Sequence, residues 1–537
     1  MSVPSTLSTP SAPASPSLGL GLLAAALSGL LYFLSFPGVD LWPLAFIAWV
    51  PWLIALESMT PKRATWSGLV MGIVSGVAGF HWLLEMLETF SGFPTPLCAL
   101  FMLIVCAYQG ARFALFGFLY ARGAQNGYVR GFVFVAAFAA SELLWPMLFP
   151  FTFAASAVPL PILLQTADLG GQLAVALALL GPNWALARLI LTALSLRKAG
   201  LPLGRPLFTA NRGALVGGFG VLAISLVYGK LRLGQIDAAL AQEDKIQVGL
   251  VQANMGLMEK RTNYEEGRRR HLTLTQKLRK EDKAELVIWA ETSLAGAVEE
   301  SEAYAYYERN LTRSLKVPTI LGAVLVREVD DARGHVYFNS ALIADKKGKI
   351  QGRYDKHFLL AFGEYLPFGE TFPELYEISP RSGRFTPGTT LEPIPFGDHS
   401  IALIICYEDI VPNFVNRLMN TGNPELIVNM TNDAWFGDTI EPWQHFALSV
   451  FRAVEHRRYF VRSTNSGVSG FVDPAGRILA KTKTFEQASL AAPVSFRTER
   501  TLYQFLGNAP DWALSVIAIV LAFTRRFPWL RARAVTP

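Results

Sequence analysis

Long runs of apolar residues alternate with short polar connections along the first part of the chain. Seven such runs precede residue 233, and an eighth begins near Asn508. Each is close to the ~20 residues that a helix needs to cross the hydrocarbon core of a bilayer, so the pattern predicts eight transmembrane helices. They are expected at about 18–36, 41–57, 66–85, 96–120, 130–149, 169–195, 214–232 and 508–523.

The pattern changes at Leu233. From there to about Arg500, short strand-like apolar runs alternate with amphipathic helical segments, which predicts an α/β domain of the layered αββα sandwich type. An antiparallel hairpin is expected around Lys346 to Lys349. Strands are predicted at 246–254, 285–291, 317–326, 337–345, 349–356, 401–408, 425–433 and 459–473, and helices at about 264–282, 301–314, 411–420 and 442–458.

The ends of the chain differ from both parts. Residues 1–17 are rich in Ser, Pro and Thr and contain no Lys or Arg, which favours a disordered tail over a signal peptide. The predicted organisation is therefore a tail at 1–17, a membrane domain at 18–232, a polar domain at 233–500, an eighth helix at 508–526 and a second tail at 527–537.

The basic residues predict an orientation in the membrane. Lys and Arg occur in alternate connections, for example at Lys62 and Arg63 and at Arg197 and Lys198, whereas the loops near 37–40, 86–95 and 150–165 contain none. Under the positive-inside rule, both termini are cytoplasmic and the polar domain lies outside the cytoplasmic membrane. This distribution also explains the net charge of +6 without a nucleic-acid partner.

Composition agrees with a membrane protein, since 51% of the residues are hydrophobic and only 17% are charged. The three cysteines do not suggest a disulfide framework, because Cys98 and Cys106 fall within apolar runs and Cys406 stands alone in the polar domain. Cys406 is therefore expected to be a free thiol. The histidines show no metal-binding spacing, and no cofactor or metal is predicted.

The stretch IALIICYED at 401–409 carries the leading candidate nucleophile. It predicts a buried strand that delivers Cys406 to the edge of the core, where open α/β sheets present their chemistry. A free cysteine often serves only as a small hydrophobic residue of the core. Cys406 alone is therefore not evidence of a catalytic function.

Two further predicted strands also end in reactive side chains. Glu291 ends VIWAE and is a plausible general base, whereas Lys356 ends GRYDK and can stabilise a thiolate and an oxyanion. Glu291 could instead cap the following segment, and Lys356 could be a solvated strand end. Together with Cys406, the three positions favour attack of a thiolate on a carbonyl and a thioester intermediate.

Several ionisable residues fall in or near the predicted spans: His81, Glu85, Arg112, Glu142, Asp168 and Arg188. Such residues are functional candidates at membrane depth. Pairing between helices or location at the headgroup boundary are the alternative explanations.

The polar domain resembles the nitrilase superfamily, and the whole chain resembles the family of bacterial apolipoprotein N-acyltransferases. The matching strings lie in the polar domain and span most of it: VQAN at 251–254, WAETS at 289–293, YDKHFLLAFGEYLPFGE at 354–370, ICYED at 405–409, NDAWFG at 432–437, PWQHF at 442–446 and RSTNSGV at 462–468.

This resemblance implies roles for individual residues. Glu291 would be the base, Lys356 the stabiliser of oxyanion and thiolate, and Cys406 the nucleophile. Glu364 and Glu408 would be supporting carboxylates; Glu364 can keep the lysine charged, and Glu408, two residues after Cys406 on the predicted strand, would share its face. A structural salt bridge is the other explanation for both. The pocket would be shaped by Asn339, Tyr407, Trp435 and Phe436.

The resemblance further implies transfer of an acyl chain from a phospholipid to the α-amine of a diacylglyceryl-cysteine lipoprotein, by a monomer in the bacterial inner membrane with its catalytic domain on the periplasmic side. Two alternatives stay open at this point. The same triad could hydrolyse an amide or a nitrile, or the polar domain could have lost catalysis in a transporter or a lipoprotein-binding scaffold.

Overall fold

The computed structural model describes residues 18–91, 93–294, 296–330, 333–361, 363–366, 368–378 and 383–525. The two predicted tails, at 1–17 and 527–537, lie outside these residues. The N-terminal part is helical. Its α-helices are Leu18–Ser35, Val50–Leu56, Pro61–Gly79, Leu83–Ser91, Thr95–Gln125, Arg130–Leu144, Pro161–Leu164, Ala167–Lys198, Gly204–Ala210 and Arg212–Leu240, and its 3-10 helices are Trp42–Phe46 and Phe153–Ala157.

Four of these helices are long and apolar enough to cross a membrane: Leu18–Ser35, Thr95–Gln125, Ala167–Lys198 and Arg212–Leu240. A fifth crossing is possible if the pair Pro61–Gly79 and Leu83–Thr89, bent by 62°, is one span. Trp42–Leu56 and Ala509–Phe523 are shorter apolar helices. In the described part of the chain, length and composition thus support four or five spans and do not by themselves confirm the eight expected from hydropathy.

The bend corrects one local expectation. His81 and Glu85 were expected one turn apart in a single helix, but His81 lies in the turn between Gly79 and Leu83. The ring Nδ1 of His81 lies 2.9 Å from the carbonyl oxygen of Ala78.

Glycines allow two of the membrane helices to pack closely. A Cβ on Gly72 would overlap the backbone of Gly110, and one on Gly68 would overlap the carbonyl of Phe113. Close backbone approach at small residues is the main source of helix association in lipid, where burial from water contributes little. The helices Pro61–Gly79 and Thr95–Gln125 therefore pack with their backbones in direct contact.

The described residues of the polar domain form thirteen strands, numbered β1 to β13 in chain order: Ile246–Gln252, Leu286–Ile288, Ala297–Glu299, Thr319–Glu328, His335–Ala344, Ile350–Asp355, Ile394–Phe396, His399–Ile405, Leu426–Thr431, Phe460–Thr464, Gly470–Val472, Ile478–Lys481 and Ala488–Val494. Its α-helices are Leu257–Thr262, Tyr264–Lys280, Ala303–Tyr307, Arg313–Leu315, Glu374–Ile378, Pro412–Asn420, Glu441–His456 and Leu502–Leu506, with a π-helix at Glu308–Thr312 and 3-10 helices at Cys406–Ile410 and Asp433–Phe436. The helix Ala509–Phe523 follows.

The strands form two sheets. One has the order β13-β1-β2-β4-β5-β6, with β3 also paired to β4, and the other has the order β12-β11-β10-β9-β8-β7. Alternating side chains show how the sheets are covered. Ile288 shares a core with Leu403 of the other sheet, whereas its neighbour Val287 packs with Leu278 of the helix Tyr264–Lys280. This is the predicted αββα sandwich, and the hairpin of β5 and β6 is confirmed.

The predicted strands differ from the observed ones mainly at their ends. The segment 459–473 is two strands, β10 and β11, which pair with each other across a turn. The segment 285–291 is reduced to the three residues of β2. After β2 the apolar residues Trp289 and Ala290 continue past the paired part, so composition extends the predicted strand. After β10 the polar stretch NSGVS at 465–469 forms the turn and divides the predicted strand in two.

Candidate active site

Cys406 lies at the point where a buried strand turns sharply. Strand β8 ends at Ile405, and Cys406 begins a 3-10 turn with φ at 53°, in the left-handed region that non-glycine residues rarely adopt. The side-chain amide of Asn429 donates a hydrogen bond of 3.2 Å to the carbonyl oxygen of Cys406. The thiol is free and the residue is only 4% exposed, so a strained turn holds a buried sulfur at the strand end.

Lys356 follows the last residue of β6 and is buried among carboxylates. Its Nζ lies 2.7 Å from Glu364 Oε2 and 3.3 Å from Glu291 Oε1. Burial alone would lower the pKa of this amine, but the carboxylates of Glu291 and Glu364 outweigh burial and raise the pKa well above its ordinary value. Lys356 is therefore a permanent cation, as the sequence analysis expected of a lysine beside Glu364.

Glu291 and Asn339 complete this group. Asn339 Nδ2 donates to Glu291 Oε1 at 2.6 Å and to Glu364 Oε1 at 2.8 Å, so one amide orients both carboxylates. Glu291 Oε2 is buried and has no hydrogen-bond partner among the described residues. One oxygen of Glu291 is thus held in place, while the other is available to accept a proton.

Burial and the charges around Cys406 set the protonation state of its thiol. Burial raises the pKa of Cys406 well above its ordinary value, and Glu291 acts in the same direction, whereas Lys356 lowers it. The resting state is consequently the neutral thiol. A nucleophilic role for this thiol would therefore need a base, and the carboxylate that acts most strongly on the sulfur is Glu291.

Glu408 is placed differently from the expectation. It was predicted to lie on the strand and share the face of Cys406. It belongs instead to the 3-10 turn Cys406–Ile410, and its carboxylate points back toward the end of β8. It accepts hydrogen bonds from the backbone N–H groups of Ile405, His357 and Phe358 and from the Tyr354 hydroxyl. Glu408 therefore ties the turn that carries Cys406 to the segment that follows Lys356.

Two of the three aromatic candidates contact the membrane part. The Tyr407 hydroxyl donates to the carbonyl of Leu148. Phe436 is buried and packs edge-to-face on Trp82, with ring centroids 5.2 Å apart. Trp435 is half-buried against the same core. Two of these rings therefore connect the catalytic turn and the NDAWFG loop to the helical domain.

Four buried charged residues near Cys406 had no role assigned from sequence: Asp409, Asp433, His445 and Arg462. Each lies within one of the strings that carry the family resemblance, ICYED, NDAWFG, PWQHF and RSTNSGV. The resemblance could therefore have pointed to them. Asp433 and His445, with Glu441, also place metal-type ligand atoms within 4.8 Å of one another. Arg462 also donates to the carboxylate of Asp433. This carboxylate is therefore already engaged in an ion pair with a side chain.

The ionisable residues of the spans are mostly paired with one another. Arg112 donates to Glu142 at 3.0 Å and to the Tyr32 hydroxyl at 3.0 Å. Asp168 accepts from Tyr228, Arg232 and Arg457, and Arg188 pairs with Glu57 at 3.0 Å. For Arg112, Glu142, Asp168 and Arg188, pairing between elements accounts for the charge at this depth.

An αββα sandwich on apolar helices, with a buried cysteine beside a carboxylate and an ion-paired lysine, defines a membrane-associated protein of the nitrilase superfamily. In agreement, residues 247–502 match the family model for carbon-nitrogen hydrolases. A carbon-nitrogen hydrolase from Helicobacter pylori is similar at 18% identity, with 52% of this chain and 96% of that chain covered and a TM-score of 0.35.

Residues 28–185 match the model for the N-terminal domain of apolipoprotein N-acyltransferase. The apolipoprotein N-acyltransferase of Bdellovibrio bacteriovorus is 30% identical over 535 residues, covering 93% of this chain and 92% of that protein. That of Geobacter metallireducens is 28% identical over 521 residues, covering 94% and 95%. The chain belongs to the apolipoprotein N-acyltransferase family.

Proposed function

We propose that this protein transfers an acyl chain from a phospholipid to the free α-amine of an S-diacylglyceryl-cysteine at the N-terminus of a lipoprotein, through a thioester on Cys406. The observation that carries the proposal is the buried group around the thiol, in which Lys356 is held between Glu291 and Glu364 while Glu291 Oε2 stays unpaired. No cofactor takes part in the proposed reaction.

In the first half-reaction, Cys406 Sγ attacks the ester carbonyl of the phospholipid as Glu291 accepts the thiol proton. The carbonyl oxygen becomes an oxyanion, which the Lys356 ammonium stabilises. When the intermediate collapses, the ester C–O bond breaks and Glu291 returns the proton to the departing alkoxide. The products are a lyso-phospholipid and an acyl thioester.

In the second half-reaction, the α-amine of the lipoprotein cysteine attacks the thioester carbonyl. A C–N bond forms, the C–S bond breaks, and a proton passes by way of Glu291 from the amine to the departing sulfur. The product is an amide, and Cys406 returns to its thiol form. The reaction is a ping-pong exchange in which Asn339, Tyr407, Trp435 and Phe436 shape the pocket and Glu364 and Glu408 support the triad.

Both substrates carry acyl chains, and moving one out of the bilayer costs about 0.8 kcal/mol per CH₂. The site must therefore be open to lipid. We propose that the eight apolar segments of the chain span the bacterial inner membrane, with the domain at 233–500 on the periplasmic side, both termini cytoplasmic and the protein monomeric. Labelling of single introduced cysteines in intact cells would overturn this topology if the C-terminus reacted from outside.

The function is tested by incubating the purified protein with a phospholipid labelled in one acyl chain and a diacylglyceryl-cysteine peptide. We expect labelled N-acyl peptide with the natural protein and none with Cys406→Ala. Labelled free fatty acid without acylated peptide would indicate a hydrolase, and acylation that persists in Cys406→Ala would exclude the thioester.

A further inference from the structure

Beneath the catalytic turn, four buried side chains of alternating charge form a closed ring. His445 Nε2 lies 2.8 Å from Asp409 Oδ1, and His445 Nδ1 lies 3.3 Å from Asp433 Oδ1. Arg462 completes the ring, with one nitrogen on Asp409 Oδ2 and another 3.1 Å from Asp433 Oδ2. We call Asp409, His445, Asp433 and Arg462 the charge ring.

Each member of the charge ring comes from a different element. Asp409 is in the 3-10 turn Cys406–Ile410, Asp433 begins the next 3-10 turn, His445 is in the helix Glu441–His456, and Arg462 is in β10. Each is at most 3% exposed. Buried charges are costly unless each has a partner of opposite sign, so the ring fixes these four elements relative to one another.

The ring reaches Cys406 in two ways. Asp409 lies three residues after Cys406 in the same turn. On the other side, the Thr431 hydroxyl hydrogen-bonds the Cys406 side chain and also lies 3.0 Å from Asp433 Oδ1. The ring thus contacts both the backbone turn that strains Cys406 and the hydroxyl beside its sulfur.

The charges of the ring balance only if His445 carries a proton on both nitrogens. Both nitrogens face carboxylates, and although burial and Arg462 oppose the charge, Asp409 and Asp433 raise the pKa of His445 to about 9. Two anions then face two cations. Glu441, the adjacent carboxyl, is kept neutral by burial, which raises its pKa to about 8.

We propose that the charge ring is a positioning device for the nucleophile: it holds the strained turn at Cys406 and presents no net charge to the sulfur. Asp409, Asp433, His445 and Arg462 are then positioning residues, because they act on the substrate only through Cys406. The inference rests on the proposed role of Cys406 as the nucleophile.

Removal of one member of the charge ring should shift the pKa of the Cys406 thiol, and the direction of the shift should depend on the sign of the charge removed. His445→Gln leaves an extra anion, which disfavours the thiolate, whereas Asp433→Asn leaves an extra cation, which favours it. The double variant restores the balance. The other charged groups that act on the sulfur, Glu291 and Lys356, are unchanged in all three.

The test measures the rate at which iodoacetamide alkylates Cys406 at pH 7.5 in the full-length protein in detergent, followed by peptide mass spectrometry. We expect His445→Gln to slow alkylation and Asp433→Asn to accelerate it, each on the order of tenfold, corresponding to about one pKa unit. The double variant should return close to the natural rate. Glu455→Gln, in the same helix but about 15 Å along it, is the matched control and should not change the rate.

Changes of the same sign in both single variants, or no change, would show that the ring affects packing or access alone and would overturn the proposal. Stoichiometric metal retained by the purified protein would also overturn it, because His445 would then be a neutral ligand. The alkylation rate does not depend on acyl transfer. Its failure is therefore distinguishable from failure of the proposed function, which would appear as loss of acylated peptide.

Discussion

At the scale of single residues, the site is organised by what surrounds Lys356. Two carboxylates outweigh burial and keep the amine a cation, and Asn339 holds both carboxylates through one amide. The arrangement leaves a single oxygen of Glu291 for proton transfer. The three proposed roles therefore depend on one another, and removal of any supporting group should affect more than its own contact.

The change Glu364→Gln tests this dependence. It removes the carboxylate 2.7 Å from Lys356 and lets the amine move toward Glu291, so we expect acyl transfer to fall on the order of 100-fold, as for other displacements of a catalytic group. Glu370→Gln is the control, because its ion pair with Arg384 is exposed and contributes little. Equal rates for Glu364→Gln and the natural protein in the peptide acylation assay would contradict the role of Glu364.

The sequence indicated which residues meet at this site, but it did not indicate how the side chains are arranged there. Glu291, Lys356 and Cys406 follow apolar runs, and such runs predict strands that end at a common edge. The position of Glu408 could not be obtained in this way, because a strand that turns at Cys406 looks the same in sequence as one that continues. The charge ring was missed because its partners are 12 to 53 residues apart and meet only when the second sheet forms.

At the scale of elements, the helix Glu441–His456 carries a pH-sensitive contribution to stability. The pKa of His445 is raised from 6.5 to about 9 in the folded protein, so the native state binds this proton more tightly than the unfolded state. Its contribution is complete below pH 6.5 and is lost as the pH rises through 9. Glu441 acts in the same direction, since its pKa is raised to about 8.

We therefore expect the thermal midpoint in detergent to fall between pH 6.5 and 9.5, as the contribution of His445, about 3 kcal/mol in free energy, is lost together with that of Glu441. In His445→Gln the midpoint should be lower at pH 6.5 and should depend less on pH above 8. A difference in midpoint between the natural protein and His445→Gln that did not shrink from pH 6.5 to 9.5 would contradict a protonated His445.

The packing of the helices Pro61–Gly79 and Thr95–Gln125 gives a second prediction at this scale. Gly72→Ala places a methyl group against the backbone of Gly110, so we expect a loss of about 1–3 kcal/mol. Gly213→Ala is the matched control, because a Cβ there has open space and a helical alanine is favoured by up to about 1 kcal/mol. In thermal unfolding in detergent, the midpoint of Gly72→Ala should be lower than that of the natural protein, and the midpoint of Gly213→Ala should not.

The predicted membrane helices show where hydropathy alone is insufficient. The segments 18–36, 96–120 and 214–232 correspond to long continuous helices, and 169–195 corresponds to the long helix Ala167–Lys198, which is kinked at Gly170 and Gly171. The segment 41–57 is instead broken between Trp42–Phe46 and Val50–Leu56, and 66–85 bends after Gly79. Apolar composition reports burial in lipid or protein alike, so it does not distinguish a straight span from short helices packed inside the bundle.

At the scale of the whole molecule, Asp168 connects the membrane part to the catalytic domain. Its carboxylate accepts hydrogen bonds from Arg457, which follows the helix Glu441–His456, and from Arg232 on the helix Arg212–Leu240. It lies just before the kink at Gly170 and Gly171. One buried anion thus holds together the platform, the connecting helix and the domain that carries the thiol.

Asp168→Asn should therefore destabilise the protein by about 3–5 kcal/mol, because two guanidinium groups lose the carboxylate they share. Asp237→Asn is the control: Asp237 also joins the helix Arg212–Leu240 to the catalytic domain, through Arg477, but the pair is partly exposed and should contribute at most about 1 kcal/mol. Limited proteolysis between the two domains, faster in Asp168→Asn alone, is the expected readout. Equal sensitivity of the two variants would contradict the role of Asp168.

The central claim is that Cys406 carries the acyl group between two lipid substrates. The most direct test is mass spectrometry of the full-length protein after incubation with phospholipid in the absence of any acceptor. We expect one acyl chain attached to the peptide that contains Cys406, removed by hydroxylamine and transferred when a diacylglyceryl-cysteine peptide is added. A protein that acylates the peptide but never carries the chain on Cys406 would contradict the claim.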